Sequence, residues 1–500
     1  MVFLNYCNHS KIHKSAGPDK MSARILKQLA PVIAPILTTI YRRSYETGEV
    51  PDDWRQADVA PVYKKGKKSD PANYRPISLT SIPCKLLEHI ITSAIMNHGK
   101  KHNLLYSLQM RFRDKRSCES QLIGFIDDIV NMLQGGNQTD VIVMDFSKAF
   151  DKVNHSLLVD KLHRYGIQGR TNKWIKNWLS DRTQTVVLEG ARSYTARVRS
   201  GVPQGSVLGP CLFLYYINDI PDSVKSKVRL FADDTIMYLA INSNTDASSL
   251  QEDLNRLAQW EAMWQMAFHP EKCQVISITR RRKVLKHTYL LHGHPLAHVD
   301  SAKYLGVTIT SDLSWNKHVN NIATKANHTL SFLKRNLQIN DTKLKTTAYQ
   351  TLVRPQLEYA SSVWDPYTKK NTDRLEMVQR RSARYVLNRY NNTSSVTNML
   401  HHLKWESLEQ RRKAQRVTNM YKICNGETVL DDSDQRLIPA RIRLRTSHEK
   451  SFEVPHSRAN YHKYSYVPRT IRDWNALPAN VVSAPTLNVF KRCLSDLKSF

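Results

Sequence analysis

The chain lacks the features that would tie it to an oxidising compartment or to a membrane. Cys7, Cys84, Cys118, Cys211, Cys273, Cys424 and Cys493 are scattered over 500 residues, and no Cys-x-x-Cys pair occurs. That argues against a disulfide framework and against a zinc knuckle. No long apolar span is present, and mean hydropathy is −0.49, so no membrane-spanning helix is expected. Met1 to Lys14 is polar and carries no signal-peptide core. An intracellular protein of the nucleus and cytoplasm is the expectation. There is no tandem repeat and no low-complexity tract. Acids are scarce: 44 Asp and Glu stand against 74 Lys and Arg, a formal net charge of +30. That much positive charge repels itself unless a polyanion is near, so nucleic acid is the default partner and a membrane surface the weaker one. The length allows a sizeable core and roughly two to four domains.

What is present is organised around Arg229-Leu230-Phe231-Ala232-Asp233-Asp234-Thr235-Ile236-Met237-Tyr238. Short apolar runs flank two adjacent carboxylates, which predicts a hairpin of buried strands with the acids at its tip. Asp is a poor strand residue and a good turn residue. Two neighbouring Asp repel each other, and a cation relieves that. A bare Asp-Asp is more often an ordinary polar turn; the apolar frame narrows the choice.

Upstream, Val141-Ile142-Val143-Met144-Asp145 is a continuous apolar run ending in an acid, the pattern of a strand buried on both faces. A carboxylate there is costly unless paired or bound to a cation. Val59 to Tyr63 reads as a strand running into Lys64-Lys65-Gly66-Lys67-Lys68, followed by Asn73-Tyr74-Arg75-Pro76-Ile77-Ser78-Leu79. Such a basic strand–loop–strand unit suits phosphate oxygens, although charge runs are usually just solvated. Arg75 is harder to dismiss, because it lies in an otherwise apolar segment. Gly201-Val202-Pro203-Gln204-Gly205-Ser206 is a loop whose glycines let backbone approach a ligand. Ser22 is placed to cap a helix, and residues 85–101, 120–133, 156–165, 212–220 and 250–266 have helical spacing. Trp174 and Trp178, four apart, predict a packing face. Residues 184–189 and 196–199 alternate like a hairpin. From residue 316 the chain reads as helical over 319–337, 343–359, 374–387 and 403–421. Arg380, Arg381, Arg384, Arg411, Arg412, Lys413 and Arg416 are read as charge on helix faces. From about residue 431 the chain turns irregular, with Arg441, Arg443 and Arg445.

Asp145 and the Asp233-Asp234 pair are roughly ninety residues apart. If their strands are neighbours in one antiparallel sheet, the acids meet at one edge. Oxygen ligands of that kind suit Mg²⁺, which keeps waters and phosphates as its other ligands. Two such ions about 3.5–4 Å apart can serve an in-line displacement by a 3′-hydroxyl. With a Lys/Arg grip, a glycine loop and strong basicity, the chemistry reads as nucleotidyl transfer on a polynucleotide primer.

Phe231-Ala232-Asp233-Asp234, with Asp145-x-x-x-Ala149-Phe150-Asp151 before it and the 201–206 loop between, resembles the reverse transcriptases of non-long-terminal-repeat, LINE-type retrotransposons of the jockey and chicken-repeat-like groups. The similarity runs from Gly17-Pro18-Asp19 through Tyr74 to Leu79 and Tyr304-Leu305-Gly306 to Trp474-Asn475-Ala476-Leu477-Pro478. The resemblance implies an α+β right-hand polymerase: fingers over 1–140, an antiparallel-sheet palm over 141–310, a helical thumb over 311–400 and a basic, mostly helical C-terminal region over 401–500. It implies an RNA template, a DNA primer and deoxyribonucleoside triphosphates as partners, no membrane, and two Mg²⁺ ions, with Mn²⁺ as the substitute. Asp145, Asp233 and Asp234 would be catalytic and hold the metals. Arg75, with Lys64 or Lys65, would contact the triphosphate. Phe150 would stack under the sugar, Gln204 and Gly205 would line the nucleotide and template side, and Lys272 would face pyrophosphate. Tyr304, Leu305 and Gly306 would form the primer grip.

The chain departs from that pattern in three places. Arg111 stands where the family usually has Gly, which predicts a strained backbone in the fingers. His269 stands where Asn is usual. An endonuclease segment normally lies upstream, so a 5′-truncated or partial reading frame is expected, and nothing resembles a ribonuclease H domain. The competing reading is a decayed copy that binds nucleic acid without polymerising. A splicing-cofactor relative is a third, opposed by the LINE-like C-terminal stretch.

Overall fold

β-Branched and aromatic runs broken by Gly, Pro and Asp pair here into strands, while amphipathic stretches with Ser caps fold as helices. The structure is a computed structural model and describes residues 15–391, 394–430, 436–440 and 448–497. The expectations for Met1 to Lys14 and for Arg441, Arg443 and Arg445 lie outside the described residues. The strands that bear on function are, in chain order, β1 (Gln56–Tyr63), β2 (Tyr74–Thr80), β3 (Gln138–Met144), β4 (Thr183–Leu188), β5 (Lys227–Phe231), β6 (Asp234–Ile241), β7 (Gln274–Ile278), β8 (Ala297–His298), β9 (Ser301–Tyr304) and β10 (Val307–Thr310). The helices are α1 (Ile82–Lys101), α2 (Cys118–Gln134), α3 (Leu208–Tyr216), α4 (Asn316–Asn336), α5 (Lys369–Leu387) and α6 (Leu408–Cys424). The fold is mixed α and β.

The chain forms two units from interleaved stretches: one from residues 1–112, 145–225 and 253–269, the other from 113–144, 226–252 and 270–500. In the first, β1 pairs antiparallel with β2 and parallel with β4. β4 in turn pairs with the short strands Ala191–Arg192 and Ala196–Arg197, close to the expected hairpin. Trp174 and Trp178 are fully buried and stack with ring centroids 6.4 Å apart. Ser22 caps the Ala23–Gln28 helix through the Ile25 amide, as its position predicts.

The second unit holds a sheet of order β8-β7-β3-β6-β5, antiparallel except for the parallel β8–β7 pair. β3 is central and has no polar face: Gln138, Thr139 and Asp140 are as buried as Val141 and Ile142. Helix α2 opens with a capping box between Ser117 and Ser120 and buries Leu122, Phe125, Ile126 and Ile129 in the core beside this sheet. The same core takes in Trp364, Tyr421, Trp474 and Phe490.

The expected helix over 343–359 is three pieces: Thr342–Ala348, a π-helical Tyr349–Val353 and Arg354–Glu358. Pro355 has no amide to donate, and the π turn takes up the mismatch. The expected helix over 403–421 is α6 alone, preceded by Val396–His402, because Ser407 caps a fresh start. Arg412 and Arg416 are not surface charge. Both are buried, Arg412 Nε lies 2.6 Å from Asp365 Oδ1, and Arg416 bonds Asp473 at 2.5 Å. Among the described residues no helix is long and apolar enough to cross a membrane.

Candidate functional site

The β3–β6 ladder runs from Gln138 opposite Ile241 to Met144 opposite Thr235. Asp145 follows Met144 in the chain, and Asp234 precedes Thr235. The β5–β6 hairpin closes at Phe231 opposite Asp234, so Ala232 and Asp233 are its two-residue turn. Ala232 has φ +55°, and Asp233 is not among the positive-φ residues. Positive φ at the first turn residue alone is the II′ pattern, where Gly is the easy choice. An Ala there stores strain of about 1 kcal/mol, and its burial at 4 % exposure shows it is held by its neighbours. Asp233 and Asp234 are exposed; Asp145 is half-buried. The Asp145 carbonyl accepts the His269 amide at 2.8 Å, and the Ser147 amide reaches the Ala267 carbonyl at 2.8 Å. His269 serves here through its backbone, which Asn would supply equally.

A buried ion pair lies behind the hairpin. Arg229, fully buried on β5, lies 2.6 Å from Asp128 Oδ2 on α2. Its Nε donates to the Tyr238 hydroxyl at 2.8 Å, and that hydroxyl donates to Asp128 at 2.5 Å. Lys227 and Arg436 also reach Asp128, at 2.9 and 3.0 Å. A Cβ at position 124 would lie 3.0 Å from the Arg229 guanidinium, so Gly124 leaves it room. Burial alone would raise the Asp128 pKa; Arg229, Lys227 and the Tyr238 hydroxyl outweigh it and hold it at about 2.

The glycine loop is assembled in the first unit. Gly201 donates to the Val153 carbonyl and Val202 to the Phe150 carbonyl, both at 2.8 Å. Ser78 on β2 donates to the Gln204 carbonyl at 2.7 Å, and Gln204 Nε2 reaches Asp151 Oδ1 at 3.0 Å. Phe150 is half-buried and stacks on Phe213 of α3, with centroids 4.4 Å apart. Arg75 is exposed on β2, three residues from Ser78, and Lys64 and Lys65 are exposed in the turn after β1. Arg75, Phe150, Gln204 and Gly205 are thus carried by segments that touch. Glu88, fully buried on α1, accepts the Val207 and Leu208 amides at 2.6 and 3.1 Å and so caps α3 directly after the loop.

Lys272 is exposed in the 3₁₀ turn Pro270–Lys272 before β7. Tyr304 and Val307 face each other across a tight turn in which Leu305 has φ +44° and Gly306 +86°, the I′ pattern. Tyr304 is buried and takes a hydrogen bond from Gln121 Nε2 at 3.0 Å; the Leu305 carbonyl takes one from the Tyr359 hydroxyl at 2.9 Å.

Among the described residues, no three His, Cys, Asp or Glu side chains gather so as to hold a metal. The acids of the two strand ends are hard oxygen donors with no His or Cys among them. Each is a donor of the kind that Mg²⁺ takes, and that ion needs only one or two carboxylates once phosphates and waters complete its shell.

The expected strain at Arg111 is not found. Positive φ falls on Phe112, at +55°, and Arg111 is absent from the positive-φ residues. Arg111 is exposed, and its guanidinium lies 4.9 Å from the Phe112 ring centroid. Sequence reasoning missed Glu88 and the Arg229–Asp128 pair. The signals were a charge within the apolar run of each of three segments: Glu88 in 85–101, Asp128 in 120–133 and Arg229 before Leu230.

Residues 63–309 match the family described as reverse transcriptase (RNA-dependent DNA polymerase). The chain is 28% identical over 397 residues to a probable RNA-directed DNA polymerase from transposon BS of Drosophila melanogaster, covering 75% of this chain and 43% of that one. It is 26% identical over 389 residues to the RNA-directed DNA polymerase from mobile element jockey of the same fly, covering 75% and 42%. Over 183 residues it is 29% identical to a Pol polyprotein from type-1 retrotransposable element R2 of Popillia japonica, covering 36% and 25%. The chain spans less than half the length of these relatives.

Proposed function

Because residues 63–309 match the reverse transcriptase family and the chain is similar to the RNA-directed DNA polymerases of transposon BS and mobile element jockey, we propose that it is the RNA-directed DNA polymerase of a non-long-terminal-repeat retrotransposon, copying an RNA template into DNA from a primer 3′-hydroxyl. The observation that carries the reading is the β3–β6 register, which ends beside Asp145 on one strand and Asp234 on the other. In this reading residues 1–140 are fingers, 141–310 palm, 311–400 thumb and 401–500 a basic C-terminal region. Asp145, Asp233 and Asp234 hold two Mg²⁺ ions. When bound, such ions lower the pKa of an attacking hydroxyl and stabilise the leaving oxygen.

The chain's own residues do the positioning. Arg75, with Lys64 or Lys65, neutralises the triphosphate. Gln204, tied to Asp151, and Gly205, against Ser78, present a flat backbone surface to the base pair. Phe150, backed by Phe213, forms a wall beside the sugar. Lys272 faces the departing pyrophosphate in this reading. Tyr304, Leu305 and Gly306 form a rigid hairpin for the primer end. Nucleic acid affinity comes from the Lys and Arg excess rather than from the acids.

The test is primer extension on a primed RNA template, with filter binding in parallel. Asp233→Asn should abolish extension and leave template binding nearly intact. Near-normal extension by that variant would sink the metal assignment.

A further inference from the structure

The second unit carries an aromatic pocket that the polymerase chemistry does not use. Trp315, Tyr367, Tyr461 and Tyr464 line a cavity of about 100 Å³, together with Arg280 and Thr368. Tyr367 and Tyr464 stack face to face, with ring centroids 4.4 Å apart and planes 8° from parallel. Tyr367 is 45% exposed, so a wide aromatic ring sits at the surface with a second ring behind it. The Arg469 guanidinium lies 5.9 Å from the Tyr464 ring centroid, and Arg280 5.6 Å from that of Tyr461. Cations over the rings hold them in place and add positive potential.

Thr368 adds a polar handle. It is the N-cap residue of α5, yet its side chain makes no capping bond, and its buried hydroxyl has no hydrogen-bond partner. A buried hydroxyl left unbonded at a pocket wall is rare and is satisfied when a ligand with a polar edge enters.

Next to this pocket runs a groove of about 350 Å³ between α4 and α5, and Asn371 lines both cavities. Lys370, Arg374 and Arg381 line that groove and are exposed. An aromatic platform at the end of a cationic groove is the arrangement that binds an unpaired strand: phosphates on the cations, a base on the ring. A duplex keeps its bases stacked inside and cannot offer one to a pocket.

We propose that the Tyr367–Tyr464 pocket takes one unpaired base of a single-stranded RNA whose backbone lies along Lys370, Arg374 and Arg381. The inference rests on the reading above that the chain handles RNA, and it adds a strand-holding site distinct from Asp145, Asp233 and Asp234.

The experiment uses the full chain and a uridine oligonucleotide, intact or with abasic positions, at fixed salt. Tyr367→Ala should weaken binding of the intact strand about tenfold and leave binding of a blunt RNA duplex unchanged. The wild-type protein should bind the abasic strand about tenfold more weakly than the intact one, and Tyr367→Ala should no longer distinguish the two. Tyr367→Trp should restore the preference. Tyr367→Ala loses the stack on Tyr464, so a small drop in melting temperature is expected, whereas Tyr367→Trp should melt close to wild type. Equal affinity of wild type and Tyr367→Ala for the intact strand overturns the proposal, as does an equal loss on duplex and single strand. Primer extension on an annealed template separates the two claims. Extension without any abasic effect removes the pocket alone, whereas a wild-type chain that neither extends nor binds RNA removes the proposed function with it.

Discussion

Ser78 and Gly205 meet backbone to backbone: a Cβ added at Gly205 would lie 2.5 Å from the Ser78 carbonyl oxygen. Gly205 also has φ +123°, where L side chains are strained. Gly205→Ala should therefore move the loop off β2. The expected cost is about 1–3 kcal/mol, read as a lower melting temperature. The KM for deoxyribonucleotides should rise at least about tenfold, which steady-state extension would measure. Unchanged kinetics would remove the loop from the nucleotide side.

Asp128→Asn should destabilise the protein by about 3–5 kcal/mol at neutral pH, because it leaves Arg229 buried without its counter-charge. The native carboxyl has its pKa held at about 2, below its unfolded value of about 3.9. Its contribution is thus complete above about pH 4 and is lost as pH falls toward 2. Denaturant titrations of both proteins should show the gap narrowing across that window. A gap that does not change with pH would mean the carboxyl is not the stabilising group.

Phe150→Val should admit ribonucleotides at least about tenfold more readily, roughly 1.4 kcal/mol of lost discrimination, while deoxyribonucleotide incorporation survives. Phe213 holds the ring from behind, so the wall is rigid. The comparison is the ratio of ribo- to deoxyribonucleotide incorporation efficiency in the two proteins. An unchanged ratio in a variant that still polymerises would return Phe150 to a packing role.

His318 gives a second pH dependence, of the opposite charge type. Burial first, then Lys303, lowers its pKa to about 4, and its Nδ1 accepts the Thr308 amide at 3.2 Å. The unfolded imidazole takes up a proton near pH 6.5, while the folded one resists it. Stability is therefore full above about pH 6.5 and falls by up to about 3 kcal/mol on the way to pH 4. His318→Gln should flatten the curve between pH 6.5 and 4. An identical slope in the variant would assign the loss elsewhere.

Arg111→Gly should not raise the melting temperature, because no positive φ at position 111 awaits relief. It removes a guanidinium lying over the Phe112 ring, so a small decrease is expected. Differential scanning calorimetry decides it, and a clear gain in stability would restore the strained-backbone reading.

The parts of the molecule legible in the sequence are those governed by local rules. The Val228 to Leu239 frame announced its hairpin because short apolar runs around a turn pair have few other solutions. Ser22 announced its cap in the same way. What escaped was set by partners distant in the chain. Arg412 and Arg416 look like a polar helix face until Asp365 and Asp473 are brought to them. Glu88 looks like an ordinary helix surface residue until the Val207 amide arrives. Arg111 was misjudged for a different reason: residue substitution located the unusual backbone one position early, since φ belongs to the turn and not to the residue type. Of the candidate site, residue identities were legible, whereas the Ser78–Gln204 tie and the Phe213 backing required the fold.

The interleaving of the two units bears on how the chain is made. The first unit draws its last stretch from residues 253–269, and the second begins at residue 113. Domains ordinarily fold one after another as they leave the ribosome. Here the first unit cannot close before the second has begun to be made. The first must wait for residue 269, by which time β3, β5 and β6 of the second have already emerged. The nascent chain therefore carries segments of both units at once, and the edge of β3 that β7 covers stays open until residues 274–278 follow.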